Sequence, residues 1–130
     1  MGAQAVQIGT RFAATEEASS HPNFKQAILE AEDTSTVLVL KTVAPVRLKK
    51  NPFALAALEA QRRGASKEEE LALLGAKRER AGIFDGDLVE GELEMGQSAA
   101  LIHDLPPAAV VIERLISEYR AAAAAIVRIG

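Results

Sequence analysis

The stretch Val6-Gln7-Ile8-Gly9-Thr10, VQIGT, stands almost at the start of the chain, and the reading of the whole fold turns on it. Ala5 to Ile8 is an apolar-leaning run, too short for a helix and of a length that suits a buried strand, and it stops at a glycine. A strand that releases into Gly9-Thr10 exposes consecutive backbone N–H groups. Glycine lets an anion come close to them with no Cβ in the way. A helix opening soon afterwards, at Thr15-Glu16-Glu17, would turn the positive end of its dipole toward the same anion. A short apolar strand ending in glycine is equally an ordinary turn, and on these residues alone both readings stand.

The rest of the 130-residue chain sets limits on either reading. It has the size of one domain, long enough to bury a core. Hydrophobic residues make up 48% and aromatics only 4%, so that core must come from Leu, Ile, Val and Ala. The net charge of −3 and the interleaving of basic with acidic residues leave no broad positive field, and nucleic acid is not an expected partner. The absence of cysteine removes disulfide scaffolds, thiolate metal sites and cysteine nucleophiles together. No apolar run approaches ~18 residues, so no membrane association is expected and a cytoplasmic location is.

Along the chain, His21-Pro22-Asn23 reads as a helix start, with Phe24, Ala27, Ile28 and Ala31 on one face. Thr34 to Val43, TSTVLVLKTV, is β-branched and apolar at its centre, and is predicted to be extended until Pro45 ends it. Asn51 before Pro52 marks a helix that closes at Gly64, and Ser66 with Glu69 forms a capping box for a second helix that closes at Gly75. Lys77 to Arg80 is a charged turn or short helix, and Gly82 to Glu94 is read as loop. After Gly96, SAALI suits a short buried helix. Pro106-Pro107 then start the longest helix, with Ala108, Val111, Ile112, Leu115 and Tyr119 on one face and an Arg114–Glu118 pair on the other. The alanine-rich tail is expected to fray.

Other candidate residues have alternative roles. Arg11 either neutralises a phosphate or pairs with Glu16 or Glu17. His21 is expected to cap the helix that Pro22 begins. His103, beside Asp104, is either a proton carrier or a helix-end cap. Asp85, Asp87, Glu90, Glu92 and Glu94 do not follow the calcium-loop spacing and read as a solvated loop. Arg47, Lys49, Lys50, Arg62 and Arg63 either grip an anionic cofactor or form solvated helix ends. In GQSAALI, Gly96 and Gln97 precede an apolar segment, an arrangement that can set an amide side chain at a cleft edge.

Several of these pieces together resemble one family. GAQAVQIGTRFAATEEASSHPNFKQAI, DTSTV, PVRLKKNPF, FDGDLVEGELEMGQSAALIHDLPPAA and the closing helix occur in the order found in the C-terminal part of the nitronate monooxygenases, formerly 2-nitropropane dioxygenases. That family also includes flavin-dependent enoyl-acyl-carrier-protein reductases. The resemblance implies an α/β fold: the closing piece of an FMN-binding (β/α)8 barrel with a mainly helical domain over its mouth. In such barrels the phosphate sits among the loops after the last strands. Carried over position by position, it assigns Gln7, Ile8, Gly9 and Thr10 to FMN, with the Gly9 and Thr10 N–H groups on the phosphate. Gly96 and Gln97 are placed toward the cofactor side of the cleft. Gly2-Ala3 match the turn before the last barrel strand.

On this reading residues 1–33 hold the last barrel strand, the phosphate loop and the following helix. Residues 34–105 form a mainly helical substrate or lid domain, and 106–130 a helix packing back on the barrel. The remaining strands and the family's catalytic histidine lie upstream in family members, and neither His21 nor His103 falls on that position. The expected partners are therefore the N-terminal barrel portion and a small-molecule substrate: a nitronate, a quinone or an enoyl thioester, with reduced nicotinamide as electron donor. A homo-oligomer is also compatible with the sequence. The alternative function is a non-catalytic helical interaction module. Either way the chain itself is expected to be mostly helical with one or two short strands, and to associate through unpartnered apolar residues.

Overall fold

The computed structural model describes residues 4–127, so the expected Gly2-Ala3 turn and the last three residues lie outside the described part. Gln4 to Gly9 join no β-ladder, which corrects the reading of Ala5 to Ile8 as a strand. A parallel strand has its ladder only through neighbours, and β1 (Thr36–Val39) and β2 (Val46–Lys49) pair with each other elsewhere. Val6 is left 81% exposed.

Helix formation starts earlier than the acidic residues imply. α1 (Thr10–Ala13) follows Gly9 directly, and Phe12 N and Ala13 N donate to the Gly9 carbonyl at 2.9 and 3.0 Å. The expected helix start at Thr15 is instead a turn, in which the Thr15 hydroxyl donates to Phe12 O at 2.8 Å and Ser20 Oγ to Ala13 O at 2.8 Å. α2 (Pro22–Leu29) opens as expected, with His21 Nδ1 accepting from Asn23 N at 3.1 Å. It buries Phe24, Ala27 and Ile28 against Ala14, Leu93, Met95, Ala99 and Ile102.

β1 and β2 form an antiparallel hairpin in the register Thr36↔Lys49 to Val39↔Val46. Residues 93–95 run along the other edge of β2, with Lys49 N donating to Leu93 O at 2.9 Å and Met95 N to Arg47 O at 3.2 Å. Lys49 Nζ also donates to Ala27 O at 2.7 Å, at the C-terminal end of α2. α3 (Pro52–Arg62) and α4 (Lys67–Leu74) begin and end where the caps place them. Asn51 Oδ1 accepts from Ala54 N at 2.8 Å, Gly64 takes φ +76°, and Ser66 with Glu69 completes its box. A second core of Val39, Leu40, Leu48, Phe53, Ala54 and Ala57 lies between hairpin and helices.

α5 (Arg78–Ile83) takes Gly82 and Ile83 out of the expected loop. SAALI contributes to a 3₁₀ turn, Gln97–Leu101, in which Ala99 is buried but Leu101 is 78% exposed. α6 (Ala108–Val127) is the longest helix, and the Ala121–Ala125 run expected to fray is helical. Glu17 caps α6 from a distance, both carboxylate oxygens accepting from Ala108 N at 2.9 and 3.2 Å.

Asp104 joins α1 to α6. Its carboxylate accepts from Arg11 Nη1 at 2.9 Å and from Arg114 Nη1, so neither arginine makes the pairing expected from the sequence, Arg11 with Glu16 or Glu17 and Arg114 with Glu118. The Arg114 hydrogen bond, and after it that of Arg11, hold the Asp104 carboxyl below its ordinary value. A carboxyl lowered on folding stabilises the fold above its unfolded value, near ~3.9, and loses that contribution as pH falls through the folded value. Asp104→Asn is therefore expected to lower the melting temperature at pH 7, with the gap to the parent closing below about pH 4. Parallel melting curves across pH 3 to 7 check this, and a gap that persists at the acid end contradicts it.

Candidate functional site

Gly9, Thr10 and Ala13 form one side of an open cleft of about 470 Å³. Pro45, Val46 and Arg47 at the start of β2, together with Glu94, Met95 and Gly96, form the other walls, and Phe24 and Ile83 also line it. Two segments 86 residues apart meet here, because Gly96 N donates to Thr10 Oγ1 at 2.9 Å. With its oxygen accepting that bond, the Thr10 hydroxyl keeps its proton for an acceptor in the cleft.

Gly9 is the N-cap of α1, a position that glycine suits, but neither its backbone angle nor its packing requires glycine. Its φ of −101° is open to every residue, and a Cβ built on it meets nothing within 4 Å. The amides of Phe12 and Ala13 are used within α1, whereas those of Gly9, Thr10 and Arg11 meet no acceptor among the described residues. A glycine that leaves room beside unpaired N–H groups and a hydroxyl donor is an arrangement that accepts a phosphate or carboxylate oxygen. These residues fit the anionic end of a nucleotide.

Of the other predicted site residues, Gly96 shares the cleft, while Ile8 turns to a different surface, an apolar groove with Val6, Phe12, Ile112, Leu115, Ile116 and Tyr119. Gln7 and Gln97 are exposed and line neither. His21 caps α2, and the exposed His103 is outside the cleft. Arg47 reaches the cleft wall, where its Nη1 donates to Thr36 Oγ1 at 3.1 Å. Lys49 is engaged at Ala27 instead. Beyond the cleft, Glu92 is buried, and that burial, followed by the nearby Glu94 and Glu79 charges, pushes its carboxyl up.

A model of the nitronate monooxygenase family matches residues 1–118. The chain belongs to that family, whose members are FMN-dependent oxidoreductases. Among solved structures, FabK from Thermotoga maritima is 32% identical with a TM-score of 0.85, over 96% of this chain and 40% of that one. The M276A mutant of FabK from the same organism is 31% identical with a TM-score of 0.77, over 96% of this chain and 37% of that one. The chain thus spans about two-fifths of the length of these relatives, and its fold is that of a piece of the barrel family.

Within this family frame, Arg47 is the wall residue that the sequence names as a candidate in its own right, whereas Val46 and Met95 stand in it only as parts of the PVRLKKNPF and FDGDLVEGELEMGQSAALIHDLPPAA pieces. Among the described residues no helix is long and apolar enough to cross a membrane, and no cluster of three metal-ligating side chains occurs.

Proposed function

We propose that this chain carries one part of the FMN site of a nitronate monooxygenase-like oxidoreductase, with Gly9 and Thr10 holding the flavin phosphate. The observation that carries the reading is Gly9: neither its φ nor its packing calls for glycine, and the space a Cβ would take lies beside unpaired amides. Gly96 keeps the Thr10 hydroxyl oriented through its N–H on Thr10 Oγ1, whereas Gln7, Ile8 and Gln97 stand outside the cleft and take no part in it. FMN supplies the redox chemistry, taking electrons from a nitronate or reduced nicotinamide and passing them to oxygen or an enoyl thioester. The protein's own part is to bind, orient and enclose it. Residues 34–105 would cover the substrate side as a lid, and 1–33 and 106–130 would complete the barrel.

The apolar groove from Val6 to Tyr119 supports the same reading, because its chemistry fits the remaining barrel portion as occupant. Alone, the chain is expected to associate with concentration through this groove, and Ile116→Glu is expected to shift it toward monomer. Sedimentation velocity over a concentration series reads this directly. A parent chain that stays monomeric throughout would contradict it.

The function itself is tested by fusing the chain behind the upstream three-fifths of the Thermotoga maritima FabK chain and measuring flavin absorbance after purification. The expected result is bound FMN in the fusion. A folded fusion that fails to take up FMN overturns the reading and favours the non-catalytic interaction module.

A further inference from the structure

Glu70 is a fully buried acidic residue in a helix whose other glutamates face water. Nothing in KEEELALL singles it out, and the cleft described above does not touch it. Its Oε2 accepts from Thr42 Oγ1 at 2.6 Å and from Thr42 N at 3.2 Å, while its Oε1 is buried with no partner among the described residues. Burying a carboxyl group with one oxygen unmatched costs stability. The compensation must be sought in what Thr42 does.

Thr42 lies at the middle of the loop that joins β1 to β2. That loop starts in a strained conformation, with Leu40 at φ +56°, a region a branched side chain seldom occupies. Every amide from Lys41 to Ala44 is accounted for: Lys41 N on Gln61 Oε1 at 3.4 Å, Thr42 N on Glu70, and Val43 N and Ala44 N on Leu40 O at 3.1 and 3.0 Å. Two of the four thus hang on side chains of α3 and α4, and the Glu70 bonds are the shorter. The loop leads straight into Pro45, Val46 and Arg47, one wall of the cleft, and Arg47 O receives Met95 N from the next wall.

We propose that Glu70 is a positioning residue for the cleft: through Thr42 it holds the Leu40–Ala44 turn, and so fixes where Pro45 to Arg47 stand opposite Gly9 and Thr10. The link to flavin rests on the FMN reading, but the clamp itself does not. The clamp acts through the two hydrogen bonds to Thr42: Glu70→Ala removes both, Thr42→Val removes the shorter one from the hydroxyl and leaves the one from the backbone N–H, and Thr42→Ser keeps both.

The test compares Glu70→Ala, Thr42→Val and Thr42→Ser in the full chain by amide hydrogen exchange, and in the FabK fusion by FMN titration. Glu70→Ala is expected to speed exchange at Val43, Ala44 and Met95 by about tenfold or more and Thr42→Val, which keeps the backbone bond, by about threefold or more, while Thr42→Ser stays near the parent. Exchange at Lys25 and Glu30 in α2 is expected to stay unchanged in all three, which separates a local release from general loss of stability. In the fusion the same two variants are expected to weaken FMN binding by about fivefold or more, with Thr42→Ser restoring it. If Glu70→Ala fails to fold, Thr42→Val decides alone. Unchanged exchange at Val43, Ala44 and Met95 overturns the clamp. Faster exchange with unaltered FMN affinity overturns its link to the site. A parent fusion that takes up no FMN overturns the flavin reading while the exchange data still decide the clamp.

Discussion

Replacing Gly91 with alanine is expected to destabilise the fold by about 3 kcal/mol or more, the upper range for overpacking. A Cβ at Gly91 stands 2.3 Å from Asp87 O and 2.3 Å from Gly82 Cα, and one at Gly82 stands 2.5 Å from Glu92 O. All of these neighbours are backbone atoms, so no side chain can swing aside to make room. Both segments of the crossing, α5 and the bend at Gly91, are also tied down. Asn51 Nδ2 donates to Gly91 O at 2.8 Å and to Leu88 O at 3.2 Å, Glu92 N donates to Arg78 O at 2.9 Å, and Asp87 N to Ala81 O at 2.9 Å. Asn51 is at the same time the cap of α3, so a shift at Gly91 would reach the second core. Urea denaturation is expected to show a lower midpoint or no cooperative transition. Gly96→Ala, whose Cβ meets its nearest atoms only at 3.6 Å, serves as the tolerated control. A parent-like midpoint for Gly91→Ala would contradict the close crossing. The crossing also bears on the site, since residue 91 leads within a few positions to the Glu94–Gly96 wall of the cleft.

How much of this was legible in the sequence depended on how far apart the cooperating residues lie. His21-Pro22, Asn51-Pro52 and Ser66 with Glu69 cap their helices as read, because a cap is completed within three or four residues. Ala5 to Ile8 forms no strand for the opposite reason: a ladder is a property of two segments, and none of the described residues pairs with it. β2 is hidden in the sequence although Val46-Arg47-Leu48-Lys49 alternates with period two, since its basic side chains equally suit an anion-gripping surface or a solvated face. The Arg11–Asp104–Arg114 clasp and the Glu17 cap on α6 join residues as much as 93 positions apart, beyond any local rule. The site behaved in the same way. Motif resemblance points to Gly9, Thr10 and Gly96, but the hydrogen bond that joins Gly96 to Thr10 is a tertiary fact. Glu70 looked like any acidic residue in a helix's first turn, and only its burial reveals its role.

Gly9→Val is expected to abolish most FMN binding while costing the fold no more than about 1 kcal/mol at the α1 N-cap, a separation that few positions allow. The stability half follows from the structure: a φ of −101° suits valine, and nothing lies within 4 Å of the added Cβ. The binding half follows from what that space adjoins. A branched side chain beside the Gly9 to Arg11 amides bars a phosphate from them, and losing two or more charge-assisted hydrogen bonds weakens binding by about a hundredfold or more. The FabK fusion is the setting, with FMN and riboflavin titrated side by side. Riboflavin lacks the phosphate, so its affinity is expected to be nearly the same for parent and variant, whereas FMN loses its advantage over riboflavin in the variant. Gly9→Ala, with a smaller intrusion, is expected to fall between. If valine weakens both ligands equally, the Gly9 space belongs to the ring or the ribityl chain rather than to the phosphate. Equal FMN affinities for parent and valine variant would remove the residue from the site altogether and leave it only as the N-cap of α1.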